Sequence, residues 1–342
     1  MSSKPPRVSI CIPTYNGGKY LAETLDCVAA QTFGDFEVVI VDDCSSDDTV
    51  KIAEQYVATE PRARLIRNAV RAGSSARNMW RCVEESRGEW IKPLQQDDLL
   101  SPDCVARMVS AGARAPLVFG HHGYVFAPDT DDQVRHWYES LPTLGVELPV
   151  PLVTPDAACE AFMRNPWINF IGSWSTSLIH RTCIEKYGSF HKTIIYFPDF
   201  DYWMRVATNE GMAIVAERLS DYRVHGHSVS ARLRGDPLNQ YRGGLDWVLL
   251  AHSIARDSRY ARLREFALRW VPPFDAESSF MDQLLEWRWE ALEASHRKRD
   301  RTLLNAFNTF CDQNPAIRDV LREHDRRLPA WQRFKYFLKA RV

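Results

Sequence analysis

Val8-Ser9-Ile10-Cys11-Ile12-Pro13-Thr14-Tyr15-Asn16 and, after one helical stretch, Phe36-Glu37-Val38-Val39-Ile40-Val41-Asp42-Asp43-Cys44-Ser45 are the two segments on which the fold turns. Each is a short apolar run that ends abruptly in polar side chains. Between them Leu21, Leu25 and Val28 recur at helical spacing across residues 19–31. A run as continuously apolar as 36–41 suits a strand covered on both faces, the usual condition of a parallel strand. Strand, helix and strand in that order predict a crossover unit.

The pattern extends outward from this pair. Ser45, Ser46 and Asp47 offer an N-cap for a second helix. Residues 63–67 read as a strand, 74–85 as a helix, and 90–94 as a strand running into the turn Gln95-Gln96-Asp97-Asp98. A helix over 102–111 and a strand over 117–120 follow. The stretch 128–155, rich in Pro, Asp and Thr, reads as a loop over the active site. Helical and strand-like pieces then alternate to residue 230. From Asp236 onward strand signals stop and Arg-rich amphipathic helices dominate, so a boundary is expected near Pro237. The expected class is α/β: a domain over 1–235, with a nucleotide-binding half of about 1–115 and an acceptor half of about 116–235, then a helical C-terminal region, 236–342.

Composition narrows the functional classes. The 342 residues are 45% hydrophobic and 25% charged, ordinary for a globular protein. A formal net charge of -1 gives no electrostatic case for a nucleic-acid partner. The eight cysteines are scattered without a CxxC pair, so they read as free thiols of a reducing compartment. No apolar run approaches the ~20 residues that span a bilayer, and residues 1–7 lack the apolar core of a signal peptide. A cytoplasmic location is expected.

Ligands of open α/β sheets bind at the carboxyl ends of the strands. Three polar groups lie at such ends here: Pro13-Thr14-Tyr15-Asn16, Asp42-Asp43, and Asp97-Asp98. Neither a GxGxxG nor a GxxxxGK[ST] pattern is present. A carboxylate pair on a turn can offer hard oxygen ligands to Mg2+ or Mn2+, with diphosphate oxygens and water completing the shell. It is also an ordinary turn and helix start.

Together these segments resemble a family 2 glycosyltransferase of GT-A fold. The resemblance continues through Asn68 and Gly73-Ser74-Ser75-Ala76-Arg77-Asn78, through Lys92-Pro93-Leu94-Gln95-Gln96-Asp97-Asp98 in the place of a DxD motif, and through Asp199-Phe200-Asp201-Tyr202-Trp203-Met204-Arg205 and Tyr222-Arg223-Val224-His225. It spans roughly residues 7 to 230. What it implies is inverting transfer of a sugar from a nucleotide diphosphate sugar, a UDP-sugar by default, to a hydroxyl of a saccharide or lipid-linked acceptor. Pro13, Thr14, Tyr15, Asn16, Asp42, Arg77, Gln95 and Asp97 would bind the donor, with Tyr15 stacking on the base and Asp42 accepting from base or ribose. Asp97, Asp98 and His225 would hold Mn2+ or Mg2+, and Asp199 would be the general base, with Asp201 structural. Arg77 and Arg223 could pair with diphosphate or make structural ion pairs. Asp43, by contrast, reads better as a cap for the helix that follows it.

Two departures stand out: Gln95 where the first Asp of DxD is common, and Pro198 where Glu often precedes the base. A catalytically silent sugar-nucleotide-binding relative and a nucleotidyltransferase are the competing readings. Trp137, Tyr138, Trp167 and Trp174 are candidate sugar-stacking residues for the acceptor, with core packing as the alternative. From Pro329 the tail places Trp331, Phe334, Phe337 and Leu338 at helical spacing among Arg333, Lys335, Lys339 and Arg341. It reads as a helix in reversible contact with the inner face of a membrane, or one packed on preceding helices.

Overall fold

The computed structural model describes residues 4–141, 148, 150–166, 169–191, 193–226 and 228–329. Trp167, His227 and the tail 330–342 lie outside the described residues, and with them the membrane-contact reading of the tail. Two compact units divide the chain: Met1–Lys192 with Pro198–Gly226, and Thr193–Phe197 with His227–Val342.

The first unit is built on one mixed sheet of nine strands: β1 (Val8–Thr14), β2 (Phe36–Asp42), β3 (Ala63–Arg67), β4 (Trp90–Pro93), β5 (Leu99–Leu100), β6 (Leu117–Phe126), β7 (Leu152–Val153), β8 (Ser177–His180) and β9 (Met212–Val224). Their order is β3-β2-β1-β4-β8-β6-β9-β5, with β7 also paired to β9. The first four are parallel, and β1 and β2 run in register from Val8 opposite Phe36 to Thr14 opposite Asp42. All seven residues of each are buried, as expected of strands covered on both faces. Beyond β4 the parallel order is interrupted by β8, which enters antiparallel between β4 and β6, while β6 and β9 again pair parallel.

The covering helices are α1 (Leu21–Ala29), α2 (Thr49–Thr59), α3 (Ser75–Glu85), α4 (Cys104–Ala111), α5 (Asp132–Ser140), α6 (Pro155–Arg164), α7 (Arg181–Tyr187) and α8 (Pro198–Glu210). In α1, Leu21, Leu25 and Val28 are the buried face. The chain moves outward from β1 to β2 and β3, then returns to the opposite flank of β1 with β4. That reversal is a topological switch point, and the crevice it opens lies at the carboxyl ends of β1, β2 and β4.

The stretch 128–155 is not a plain loop. The Asp131 carboxylate accepts from the Gln133 N–H at 2.8 Å and starts α5, whose Tyr138 packs on Tyr124 and Tyr222 with ring centroids 5.2 and 5.8 Å away. Polar composition hid a capped helix with one anchoring aromatic.

The second unit holds α9 (Val229–Gly235), α10 (Pro237–Arg256), α11 (Ala261–Ala267), α12 (Ala276–Lys298), α13 (Thr302–Gln313) and α14 (Pro315–Arg327). Asp236 caps α10 through the Leu238 N–H, with Pro237 at the first helical position. No helix among the described residues is long and apolar enough to cross a membrane. None of the eight cysteines forms a disulfide among the described residues.

Candidate active site

At the ends of β1 and β2 the polar residues hold one another in place. Asp42, 1% exposed, receives the Thr14 hydroxyl at 3.1 Å, the Ser45 hydroxyl at 2.5 Å and the Ser45 N–H at 2.9 Å. Asn16 takes φ 47°, a left-handed conformation that Asn tolerates better than most residues. Its N–H donates to Ser45 Oγ at 2.9 Å, and its side-chain oxygen accepts from Ser46 N at 2.8 Å. Pro13 is buried as the next-to-last residue of β1, just before this cluster.

Asp43 does not cap α2. Its carboxylate gathers Asn68 Nδ2 at 2.9 Å and the N–H groups of Ala72 and Gly73 at 2.5 and 3.1 Å, fixing the loop before α3, while the Thr49 N–H at the start of α2 donates to Asp47 at 3.1 Å and the N-cap residue, Asp48, makes no side-chain cap. That loop carries Arg71, whose guanidinium covers the Tyr15 ring at 3.9 Å. Arg77 lies in the first turn of α3 with its N–H on Ser74 Oγ and a guanidinium nitrogen 3.4 Å from the Ala72 carbonyl. Buried Asn78 donates to the Thr14 and Val41 carbonyls, tying α3 to both strand ends.

The Gln-Gln-Asp-Asp turn after β4 completes the crevice, and residues the sequence reading passed over hold it. Gln96 accepts from Tyr15 N at 2.9 Å and donates to Tyr15 O at 3.1 Å, clamping the turn to the end of β1. The Thr24 hydroxyl of α1 sits 2.9 and 3.0 Å from the Gln96 and Asp98 carbonyl oxygens. Ser175 accepts from Gln95 N at 3.0 Å and donates to Asp98 Oδ2 at 2.6 Å. Gln96 could have been suspected from its place in the turn. Ser175 carries no sequence signal.

These contacts separate the two adjacent carboxylates. Asp98 is fully buried, with Oδ2 on Ser175 and Oδ1 accepting from Arg223 N at 3.0 Å. Burial and the Asp97 charge push its carboxyl well above the usual range. Lys92, also fully buried, donates to the Ser175 and Pro93 carbonyls. Asp97 is 20% exposed at its side chain, and its Oδ2 lies 2.8 Å from His225 Nε2. Arg223 braces this pair: Nε donates to the Asp97 carbonyl at 2.9 Å, a second nitrogen meets Glu23 at 2.6 Å, and the guanidinium lies over the Tyr20 ring, which packs against His225. Its head is thus spent on the turn and on Glu23 instead of facing a diphosphate.

Asp199 and Asp201 open α8 and part company in the same way. Asp201 is 1% exposed and pairs with the equally buried Arg205 at 2.8 Å, whose guanidinium also donates to the Tyr187 and Ser189 carbonyls. Removing one partner of a buried pair costs about 3–5 kcal/mol. Asp201→Ala is expected to lower the unfolding free energy by about that amount in urea titrations; an unchanged midpoint would contradict the structural role. Among the described residues no cation pairs with Asp199 in this way. Its Oδ1 accepts the Phe200 N–H at 2.8 Å, and burial pushes its carboxyl up to about 7. Trp203, one turn further along α8, packs on Phe119 and Trp174, the residue before Ser175.

The aromatic candidates also divide. Trp174 is core, 4% exposed against Phe190 and Trp203, and Tyr138 is core at 5%. Trp137 is 44% exposed. His122 shares a hydrogen bond with the Tyr124 hydroxyl at 3.2 Å, and burial pulls it down to about 4, which keeps it neutral.

Comparison with known proteins meets this geometry at residues 9–170, which match the model of Glycosyl transferase family 2. That segment of the chain is a Glycosyl transferase family 2 domain. A Mycobacterium tuberculosis relative, the uncharacterized protein MT1568, is 29% identical over 274 residues, 78% of this chain and 82% of its own length. Other relatives that carry glycosyltransferase names are matched over less than two thirds of their length. Among solved structures, S. aureus TarS 1-349 in complex with UDP-GlcNAc superposes with TM-score 0.57 at 15% identity, over 93% of this chain and 92% of that one. The mannosyltransferase PcManGT from Pyrobaculum calidifontis, in complex with GDP-Man and Mn2+, gives 0.53 at 19% identity, over 99% and 86%. The family 2 glycosyltransferase thus has the GT-A fold, with added C-terminal helices.

Proposed function

We propose that this glycosyltransferase moves a sugar from a UDP-sugar to a hydroxyl of a saccharide or lipid-linked acceptor in the cytoplasm, by one displacement that inverts the anomeric carbon. The observation that carries the reading is the Asp97–His225 pair, 2.8 Å apart at the switch-point crevice beside the Thr14–Asp42 cluster. UDP and UDP-GlcNAc complexes of TarS support a uridine donor.

The pair fits a divalent ion. Two ligands at about 2.1 Å from one octahedral ion lie about 3 Å apart, close to the spacing of Asp97 Oδ2 and His225 Nε2. Among the described residues no group of three or more His, Cys, Asp or Glu is placed to hold a metal, so donor diphosphate and water would fill the other positions. Asp98, buried and saturated by Ser175 and Arg223, orients the turn instead. Bound Mn2+ or Mg2+ supplies a Lewis acid for the charge that develops on the leaving diphosphate.

The chain's own residues do the rest. Asp42 and Asn16 shape the floor for the nucleoside, Tyr15 offers a ring once Arg71 moves from it, and Gln95 can hydrogen-bond but brings no charge. Asp199, buried and with no paired cation among the described residues, takes the proton from the acceptor hydroxyl as it attacks.

A panel of nucleotide sugars incubated with the enzyme and Mn2+ tests this. Release of UDP from a UDP-sugar is expected, accelerated by acceptor. Release of pyrophosphate would instead identify a nucleotidyltransferase, and binding without turnover a silent relative.

A further inference from the structure

Ser175 is 1% exposed and uses its hydroxyl twice on one turn. The Oγ accepts from Gln95 N at 3.0 Å and donates to Asp98 Oδ2 at 2.6 Å, so a single hydroxyl ties the first residue of the Gln-Gln-Asp-Asp turn to the last. The backbone closure of the same turn, from Asp98 N–H to the Gln95 carbonyl, is long at 3.3 Å. Ser175 is itself seated from two directions. Lys92, fully buried on β4, donates to its carbonyl oxygen. Its neighbour Trp174 packs edge-on against Phe190 and Trp203, with ring centroids 4.1 and 5.3 Å away, and the Ser177 hydroxyl donates to the Trp174 carbonyl at 2.8 Å.

Asp97 lies inside this clasp. On one side Gln96 is clamped to Tyr15, on the other Asp98 is held by Ser175 and the Arg223 N–H, and the Asp97 carbonyl accepts from Arg223 Nε at 2.9 Å. With its neighbours and its own carbonyl fixed, the direction of the Asp97 side chain follows from the shape of the turn. We infer that Ser175 is a positioning residue for Asp97: by fixing the span from Gln95 to Asp98 it sets how the Asp97 carboxylate meets His225, and so the spacing offered to a divalent ion. The inference rests on the reading of Asp97 and His225 as ligands of Mn2+ or Mg2+. A hydroxyl is suited to the task because it donates and accepts at once. Alanine would take one partner each from the Gln95 N–H and the buried Asp98 carboxylate, and the turn can satisfy them again only by moving. Groups that orient metal ligands are typically worth about 10- to 100-fold in metal affinity or activity.

The test uses the full chain with MnCl2 and the nucleoside diphosphate that the donor panel releases. Free Mn2+ is read by electron paramagnetic resonance, alongside melting temperature and kcat. Ser175→Ala should raise the Mn2+ dissociation constant about 10- to 100-fold, and saturating Mn2+ should restore much of the lost rate. Ser175→Cys keeps the volume but offers only a weak donor and acceptor, so it should shift the constant in the same direction and serves should the alanine variant not fold. In the Asp97→Ala background Ser175→Ala should cost no further Mn2+ affinity. An unchanged dissociation constant in folded Ser175 variants, with Asp97→Ala much weakened, overturns this inference alone, and a lowered melting temperature would then mark Ser175 as purely structural. Wild-type Mn2+ affinity in Asp97→Ala removes the metal reading, and this inference with it.

Discussion

Asp97→Ala is expected to abolish sugar transfer while leaving the fold and melting temperature nearly unchanged. Asp97 is 20% exposed at its side chain and, among the described residues, its carboxylate bonds to His225, so its removal opens no core cavity and strands no buried charge. The loss falls on the leaving diphosphate. Lewis-acid stabilisation of that charge is worth several kcal/mol, and each 1.4 kcal/mol is tenfold in rate, so a fall of roughly 1000-fold or more is expected. Release of nucleoside diphosphate, measured with Mn2+ and again in excess EDTA, checks it. Full activity in EDTA would sink the metal reading, and an Asp97→Ala enzyme that stays active would sink the residue's part in it.

Asp199→Asn should leave donor affinity near wild type and lower transfer by about 100- to 10,000-fold, the range expected on losing a general base. The pH dependence has a definite sign. Burial holds the Asp199 carboxyl up to about 7, so the basic, ionised form is depleted as pH falls through that value. Wild-type kcat/KM should therefore drop about tenfold per pH unit on the acid side and level off above it, while the small residual kcat/KM of Asp199→Asn should lose this limb. Stopped assays from pH 5 to 9 measure both profiles. An unchanged acid limb in Asp199→Asn would assign the proton transfer elsewhere, and NMR detection of a product with retained anomeric configuration would contradict the single displacement.

The strand ends were legible because a parallel strand buried on both faces writes itself as an unbroken apolar run, and its first polar residues mark the ligand edge. Thus β1 with Pro13, Thr14, Tyr15 and Asn16, β2 with Asp42 and Asp43, and the turn at Asp97 and Asp98 could be placed from residues alone. Helix α5 could not, since its one core contact, Tyr138, carries no periodicity within a polar stretch. The antiparallel entry of β8 was equally hidden, because strand direction depends on where the chain returns.

What the sequence determined by itself was the α/β plan and the polar strand ends, with a short set of acids to which the proposed chemistry is assigned. Tertiary structure alone sorted those acids. Asp97 and Asp98 are neighbours of identical chemistry, yet Asp98 is sequestered by Ser175, 77 residues away, and by the backbone of Arg223, 125 residues away, while Asp97 is left to His225. Asp199 and Asp201 share one helical turn, and Arg205 neutralises only the second. A carboxylate's charge and reach depend on the donors, cations and water around it, and those arrive from remote parts of the chain only when it folds.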